Sequence, residues 1–106
     1  ENNTKNIKAD FFLPFFGLSN ELGPIKEWEL DIEKKGIVVE QSTCETNKEG
    51  IFAIGDICQY PGKLKLILTG FSEAAIAAHE CYKKVFPDKH LHFEYSTTKG
   101  INNILS

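Results

Sequence analysis

The 106-residue chain has no methionine, a single tryptophan and only three cysteines, and it has no long apolar run. Cys44, Cys58 and Cys81 are far apart and form no Cys-x-x-Cys pair. An odd number of cysteines at these spacings argues against the disulfide framework of a secreted protein and favours a reducing, cytoplasmic compartment. We expect each cysteine to be a small, packed apolar side chain.

The chain also lacks the features of several partner classes. Its most apolar stretch, residues 10–16, is interrupted by Pro14 and falls well short of the roughly 20 residues that cross a bilayer. A formal net charge of −3 leaves no basic stripe for nucleic acid. His90 and His92 form a His-x-His pair, which alone is a weak metal signal. We therefore expect no membrane, nucleic-acid or metal partner.

Residues 46–56, Thr-Asn-Lys-Glu-Gly-Ile-Phe-Ala-Ile-Gly-Asp, are the most informative segment of the chain. A turn-prone Asn-Lys-Glu-Gly precedes a short apolar run, which predicts a buried strand over residues 51–54. Gly55 and Asp56 would end this strand with a carboxylate beside a bare backbone. Ligands of open α/β sheets bind just outside the carboxyl ends of strands, so this end is a candidate binding site. The alternative is a simple strand-ending turn, in which Gly and Asp are common.

Residues 70–86 are predicted to form the longest helix, with Thr69 as its N-cap and Pro87 ending it. One apolar stripe recurs at helical spacing: Phe71, Ala75, Ala78, Tyr82 and Val85. Polar residues are expected on the other side of the helix, among them Glu73, Glu80, Lys83 and Lys84, with Glu80 and Lys84 at a favourable i,i+4 spacing.

The remaining segments predict short elements. Residues 8–16 indicate a strand and residues 17–20 the loop that leaves it. A single helical turn is expected to start near Pro24, with Trp28 packing it down. Residues 32–39 predict a hairpin with a Lys-Lys-Gly turn.

A loop is expected over residues 57–63, closed by a Tyr-Pro-Gly turn. Lys63 and Lys65 are interpreted as solvated surface side chains. Strands and a helix together predict an α/β fold.

Several separate segments carry a resemblance to one family. They are the motif at 46–56, Leu-Pro-Phe-Phe-Gly-Leu at 13–18, Leu-Gly-Pro-Ile at 22–25, Tyr-Pro-Gly-Lys-Leu-Lys-Leu-Ile at 60–67, Thr-Gly-Phe-Ser-Glu-Ala at 69–74, and the tail at 87–100. Over nearly all its length the chain resembles the thioredoxin-reductase-like ferredoxin (or flavodoxin)–NADP reductases of the pyridine nucleotide-disulfide oxidoreductase superfamily.

The resemblance implies the carboxyl-terminal part of a flavoprotein with two dinucleotide domains, each a Rossmann-like, three-layer α/β unit. Residues 1–45 would then complete the NADPH-binding domain, and residues 46–106 would complete the FAD-binding domain and add a tail. Each dinucleotide needs a Gly-x-Gly-x-x-Gly turn, and the chain has neither. We therefore expect a segment of a longer, homodimeric enzyme, without turnover of its own.

The same resemblance implies cofactor-binding roles for three residues near the motif. Asp56 would accept a hydrogen bond from the ribityl chain of FAD, and the backbone after it, at Ile57, would approach the pyrophosphate. The helix start at Gly70 would place its positive end near the flavin and so favour the reduced form.

Three residues of the tail are also implied as cofactor-binding. The aromatic ring of Tyr95 would cover the flavin of the partner subunit, with the hydroxyls of Ser96 and Thr97 near its reactive edge. Many relatives carry histidine or phenylalanine at the position of Tyr95, and tyrosine preserves the stacking contact. No residue of the chain is assigned a catalytic role.

The function implied is transfer of electrons between NADPH and ferredoxin or flavodoxin through FAD. Two alternatives stay open. A thioredoxin reductase would need a Cys-x-x-Cys pair in the NADPH domain, outside this sequence. A small, non-enzymatic α/β module would carry the motif without the chemistry.

Overall fold

A computed structural model describes residues 2–92 as a small α/β unit with one three-stranded sheet and one long helix. The first element is a 3₁₀ helix, Gly23–Glu27. Strands β1 (Ile32–Glu33) and β2 (Gly36–Val38) follow it. A second 3₁₀ turn (Gly55–Ile57) leads directly into β3 (Cys58–Gln59), and helix α1 spans Ile67–Val85.

The sheet has the order β1-β2-β3 and is mixed. β1 pairs with β2 in antiparallel fashion, with Ile32 opposite Ile37. β2 pairs with β3 in parallel, with Ile37 opposite Cys58. The sequence predicts a loop over residues 57–63, whereas the structure has a short strand at residues 58–59. Two residues are too few to show an alternating pattern, so only the pairing with β2 identifies this strand.

The predicted hairpin is confirmed, and its turn consists of Lys34 and Lys35. Both have positive φ angles, 49° and 61°, as a two-residue turn of type I′ requires. Gly36 lies in β2 rather than in the turn. The Pro61-Gly62 turn is also confirmed, since the Lys63 amide donates to the Tyr60 carbonyl at 3.1 Å.

Two predicted strands are wrong. Residues 8–16 form no strand, and Phe12 and Phe16 are 81% and 91% exposed. Residues 51–54 form only a single antiparallel bridge, between Phe52 and Glu45. A strand exists only where a second backbone pairs with it, and among residues 2–92 no neighbouring strand lies beside either run.

The core lies between the sheet and the segments that flank it. Its buried members are Leu22, Leu30, Ile37, Val39, Ala53, Cys58 and Tyr60. The helical turn predicted near Pro24 is confirmed. Trp28, however, is 54% exposed and does not pack the turn down. That prediction was wrong because Leu22 and Leu30, on either side of the turn, are the buried anchors.

Helix α1 begins three residues earlier than predicted. Its N-cap is Leu66, which forms no side-chain cap, so the prediction of Thr69 as N-cap was wrong. The helix ends at Val85, before Pro87, as expected. Among residues 2–92, no helix has the length and apolar character needed to cross a membrane.

The face of α1 that packs against the chain is not the predicted apolar stripe. Phe71 and Val85 are 73% and 66% exposed, whereas Glu73 and Ala77 are buried. The expected Glu80–Lys84 pair is also absent, because Lys84 instead pairs with Glu45 at 3.1 Å. The face that packs contains small residues, and Gly70 on it allows the helix to approach the Gly55 backbone closely.

Candidate functional site

The candidate site is built around the 3₁₀ turn Gly55–Ile57. Gly55 has φ = 75°, in the left-handed region that favours glycine. Asp56 follows it and is exposed, while Ile57 is half-buried and packs against the core. The Asn20 side-chain amide donates to the Asp56 carbonyl at 3.2 Å. The turn therefore presents an exposed carboxylate on a backbone that is held by the Asn20 hydrogen bond and by the packing of Ile57.

Two glycines flank this turn and bring other elements close to it. A Cβ on Gly36 of β2 would lie 3.2 Å from the Ile57 carbonyl oxygen and 3.0 Å from the Gln59 Cβ. A Cβ on Gly70 of α1 would lie 3.6 Å from the Gly55 Cα, an ordinary contact. The absence of a side chain at position 36 thus lets β2 pair closely with the segment that carries Asp56.

A shallow cleft opens between the turn and the first turns of α1. Its volume is about 260 Å³, and its lining residues are Ile54, Gly55, Ile67, Gly70, Phe71 and Ala74. A Cβ on Gly55 would point into open space, without any atom within 4 Å. The exposed start of α1 borders this cleft, and helix starts carry free N–H groups and a partial positive charge. The lining of the cleft is apolar, so the cleft can hold a flat, apolar group.

Beneath the turn, the carboxylate of Glu73 forms a buried cluster with the segment 55–63. Its Oε2 atom accepts hydrogen bonds from the Gly55 amide at 2.6 Å and from the Cys58 thiol at 3.3 Å. Its Oε1 atom accepts from the Tyr60 hydroxyl at 2.8 Å and from the Lys63 ammonium. The side chains of both Glu73 and Lys63 are only 3% exposed.

The charges in this cluster are stabilised by their partners. Burial alone would raise the pKa of Glu73, but the hydrogen bonds from Lys63, Tyr60 and the Gly55 amide hold it below its ordinary value. Burial likewise opposes the charge of Lys63, yet its bonds to Glu73 and Cys58 raise its pKa. Burial is the main cause that raises the pKa of Cys58 to about 11. Glu73 and Lys63 are therefore an ionised pair, and Cys58 is a neutral thiol.

The cluster corrects two predictions. The sequence predicts Glu73 on the polar side of the helix and Lys63 at the surface, but both side chains are buried. Cys44 and Cys58 are packed as predicted, whereas Cys81, outside the cluster, is exposed, so that prediction was wrong. One signal could have located Glu73: it lies three residues after Gly70 and four before Ala77, within the small-residue face that packs most closely.

The structure brings together three of the predicted site residues. Asp56 and Ile57 lie in the turn, and Gly70 lies in the first turn of α1, which faces it. The prediction that the helix starts at Gly70 is wrong, because α1 begins at Ile67 and the Gly70 amide donates to the Leu66 carbonyl at 3.1 Å. The predicted roles of Tyr95, Ser96 and Thr97 fall outside residues 2–92. Within those residues, no group of three or more His, Cys, Asp or Glu side chains is placed to hold a metal ion.

The chain is similar to one part of several curated ferredoxin–NADP reductases. It is 59% identical to the protein of Acidiphilium cryptum over 98 residues and 61% identical to that of Granulibacter bethesdensis over 97 residues. Identity to the Rickettsia felis protein is 56% over 99 residues. These matches cover 92–93% of this chain but only 28–30% of each relative. No protein-family model matches the chain.

Proposed function

We propose that this chain is a segment of an FAD-dependent enzyme that passes electrons between NADPH and ferredoxin or flavodoxin. The observation that carries the proposal is the identity of 56–61%, over more than nine-tenths of the chain, to proteins named ferredoxin–NADP reductase. The chain spans less than a third of their length. The complete enzyme would be a cytoplasmic homodimer with two dinucleotide domains, which meet near residue 45 of this chain.

The geometry of the turn at 55–57 fits the sugar-alcohol part of FAD. An ionised carboxylate is a strong acceptor for a hydroxyl group, and Asp56 is exposed at the tip of the turn. Gly55 leaves the space in front of the backbone open. In this assignment Asp56 orients the ribityl chain, and the backbone at Ile57 lies along the pyrophosphate.

The cleft beside the turn fits an edge of the flavin ring. It is apolar, and the start of α1 borders it. FAD supplies the exchange of electrons between a two-electron donor and a one-electron carrier. The helix start contributes a partial positive charge near the ring, which favours the reduced form of the cofactor. Tyr95, with Ser96 and Thr97, would cover the ring from the partner subunit.

The alternatives are less well supported. The relatives described above carry the name ferredoxin–NADP reductase, which favours an iron–sulfur or flavin carrier over a disulfide as the acceptor. A free-standing binding module would not explain such high identity to one segment of a much longer enzyme.

The proposal is tested by substituting Asp56 in the full-length protein. Asp56→Asn keeps the size of the side chain but removes its charge. Because asparagine keeps an oxygen that can accept a neutral hydrogen bond, only the charge-assisted part is lost, about 1–1.5 kcal/mol. FAD binding should therefore weaken by roughly fivefold to twelvefold. The measurement is titration of the FAD-free protein, followed by quenching of flavin fluorescence.

Asp88→Asn is the matched control, because Asp88 is exposed beyond the end of α1. It should bind FAD as the unaltered protein does. A full-length protein that binds no FAD would contradict the proposal, and equal affinities of the Asp56→Asn and Asp88→Asn variants would remove Asp56 from the site.

A further inference from the structure

We propose that Glu73 is a positioning residue, whose buried carboxylate fixes the Gly55–Ile57 turn in the orientation that binds the cofactor. This inference rests on the proposed function, since it assigns a role within that FAD site. Glu73 itself is buried beneath the turn and is not among the residues that line the cleft. It fixes the conformation of Gly55 by a hydrogen bond, and the conformation of Gly55 sets the orientation of Asp56.

The first argument is the contact between Glu73 and the turn. The carboxylate accepts a hydrogen bond of 2.6 Å from the Gly55 amide. That amide belongs to the residue in the left-handed conformation, at φ = 75°. A glycine there has many accessible conformations, so a buried acceptor on its amide selects one of them. The orientation of Asp56, the next residue, follows from that choice.

The second argument is that one side chain ties together the whole segment from 55 to 63. Its four hydrogen-bond donors come from Gly55, Cys58, Tyr60 and Lys63. Both carboxylate oxygens are fully used, and Lys63 also donates to the Cys58 sulfur at 3.3 Å. Networks of this kind in a water-poor interior are rigid when every member is satisfied.

The third argument is the place of Glu73 on the helix. It lies one turn after Gly70, which contacts the same turn at the Gly55 Cα. Helix α1 therefore holds Gly55 at two points, by close packing and by a hydrogen bond. A buried ion pair is often no more stabilising than an apolar pair of the same volume. The stability of the fold therefore does not explain why a carboxylate is buried at position 73. The need to fix the orientation of Gly55 does explain it.

The test compares two double variants of the full-length protein. Lys63→Met/Glu73→Gln removes both charges but keeps an oxygen that can accept from the Gly55 amide. Lys63→Met/Glu73→Leu removes both charges and the acceptor. Because neither leaves a buried charge unpaired, both are expected to fold, which circular dichroism and the melting temperature check. The readouts are the FAD dissociation constant and the visible circular dichroism of the bound flavin.

We expect the glutamine variant to bind FAD within about threefold of the unaltered protein, and the leucine variant to bind it at least roughly tenfold more weakly, with an altered flavin spectrum. Glu80→Gln is the control, a carboxylate of the same helix that pairs with Lys83 at 2.5 Å. It should change neither readout. Equal FAD affinity and spectra in the two double variants would overturn the inference.

A second measurement does not depend on the variants folding. In the FAD-free, unaltered protein, the Gly55 amide should be protected from hydrogen exchange by its bond to Glu73, and an unprotected amide would overturn the inference. The two proposals fail separately. If the unaltered protein binds no FAD, the proposed function fails; if it binds FAD but the two double variants do not differ, only the role of Glu73 fails.

Discussion

The most informative perturbation of the fold is Gly36→Ala, at the contact between β2 and the segment that carries Asp56. The added Cβ would lie 3.0 Å from the Gln59 Cβ and 3.2 Å from the Ile57 carbonyl oxygen, both tighter than ordinary contacts. The nearest of these atoms belong to β3 and to the 3₁₀ turn, so the backbone there must move. Overpacking of this kind costs about 1–3 kcal/mol.

Part of this cost is offset, because alanine lowers the entropy of the unfolded chain by about 0.4–1 kcal/mol relative to glycine. At the middle of these two ranges a net destabilisation of about 1.3 kcal/mol remains, which corresponds to a roughly tenfold loss of protection from hydrogen exchange. The reporter is the Val39 amide, which donates to the Gln59 carbonyl at 3.0 Å across the β2–β3 pair.

Gly70→Ala is the matched control, with the same substitution on the other side of the turn. Its Cβ would meet the Gly55 Cα at an ordinary 3.6 Å, and alanine is the better helix former by about 0.5–1 kcal/mol. Protection of the helix amides should therefore rise rather than fall. Unchanged or increased protection of Val39 in the Gly36→Ala variant would refute the packing argument.

Two further predictions concern charge and the hairpin turn. The pKa of Glu73 is lower in the folded protein than its ordinary value, so its contribution to stability is present above about pH 4.5 and is lost as the pH falls through the folded pKa. The pKa of Lys63 is raised in the folded protein, so its contribution is present below about pH 10.5 and is lost as the pH rises through the folded pKa. Urea unfolding across pH should show lower stability at both extremes, and both slopes should be shallower in a Lys63→Met/Glu73→Gln protein. Part of each slope should remain, because the folded pKa of Glu45 is also lowered and those of Lys84 and Cys58 are also raised. Unchanged slopes in the double variant would contradict this. Lys35→Gly should stabilise the hairpin by about 1 kcal/mol, since Lys35 has φ = 61° and glycine adopts this region without strain; a lower urea midpoint would contradict that.

The sequence predicted local features where the signal depends on a few adjacent residues. The hairpin at 32–39, the turn near Pro24 and the end of the helix before Pro87 were all correct, because turn chemistry and proline act within a few positions. Strands were predicted less well. Residues 8–16 and 51–54 have the apolar character of strands, but a strand also depends on a partner backbone that adjacent residues do not reveal.

In the candidate site, too, the sequence predicted the features that depend on adjacent residues and missed those that depend on distant contacts. The motif predicts Gly55 and Asp56 as site residues, the helix that follows it adds Gly70, and the structure places all three near one another. Glu73 and Lys63 were placed at the surface, because a charged residue in a sequence is usually exposed. Their burial depends on contacts across 10 to 18 residues of chain, from the helix to Gly55 and Lys63. Only the assembled structure shows that one carboxylate satisfies four donors.

The proposed reductase activity is tested most directly by following electrons through the full-length protein. The purified protein should be yellow with bound flavin, lose that colour when NADPH is added without oxygen, and recover it when oxidised ferredoxin or flavodoxin follows. A colourless protein that gains no flavin from added FAD, or a bound flavin that NADPH leaves oxidised, would contradict the account.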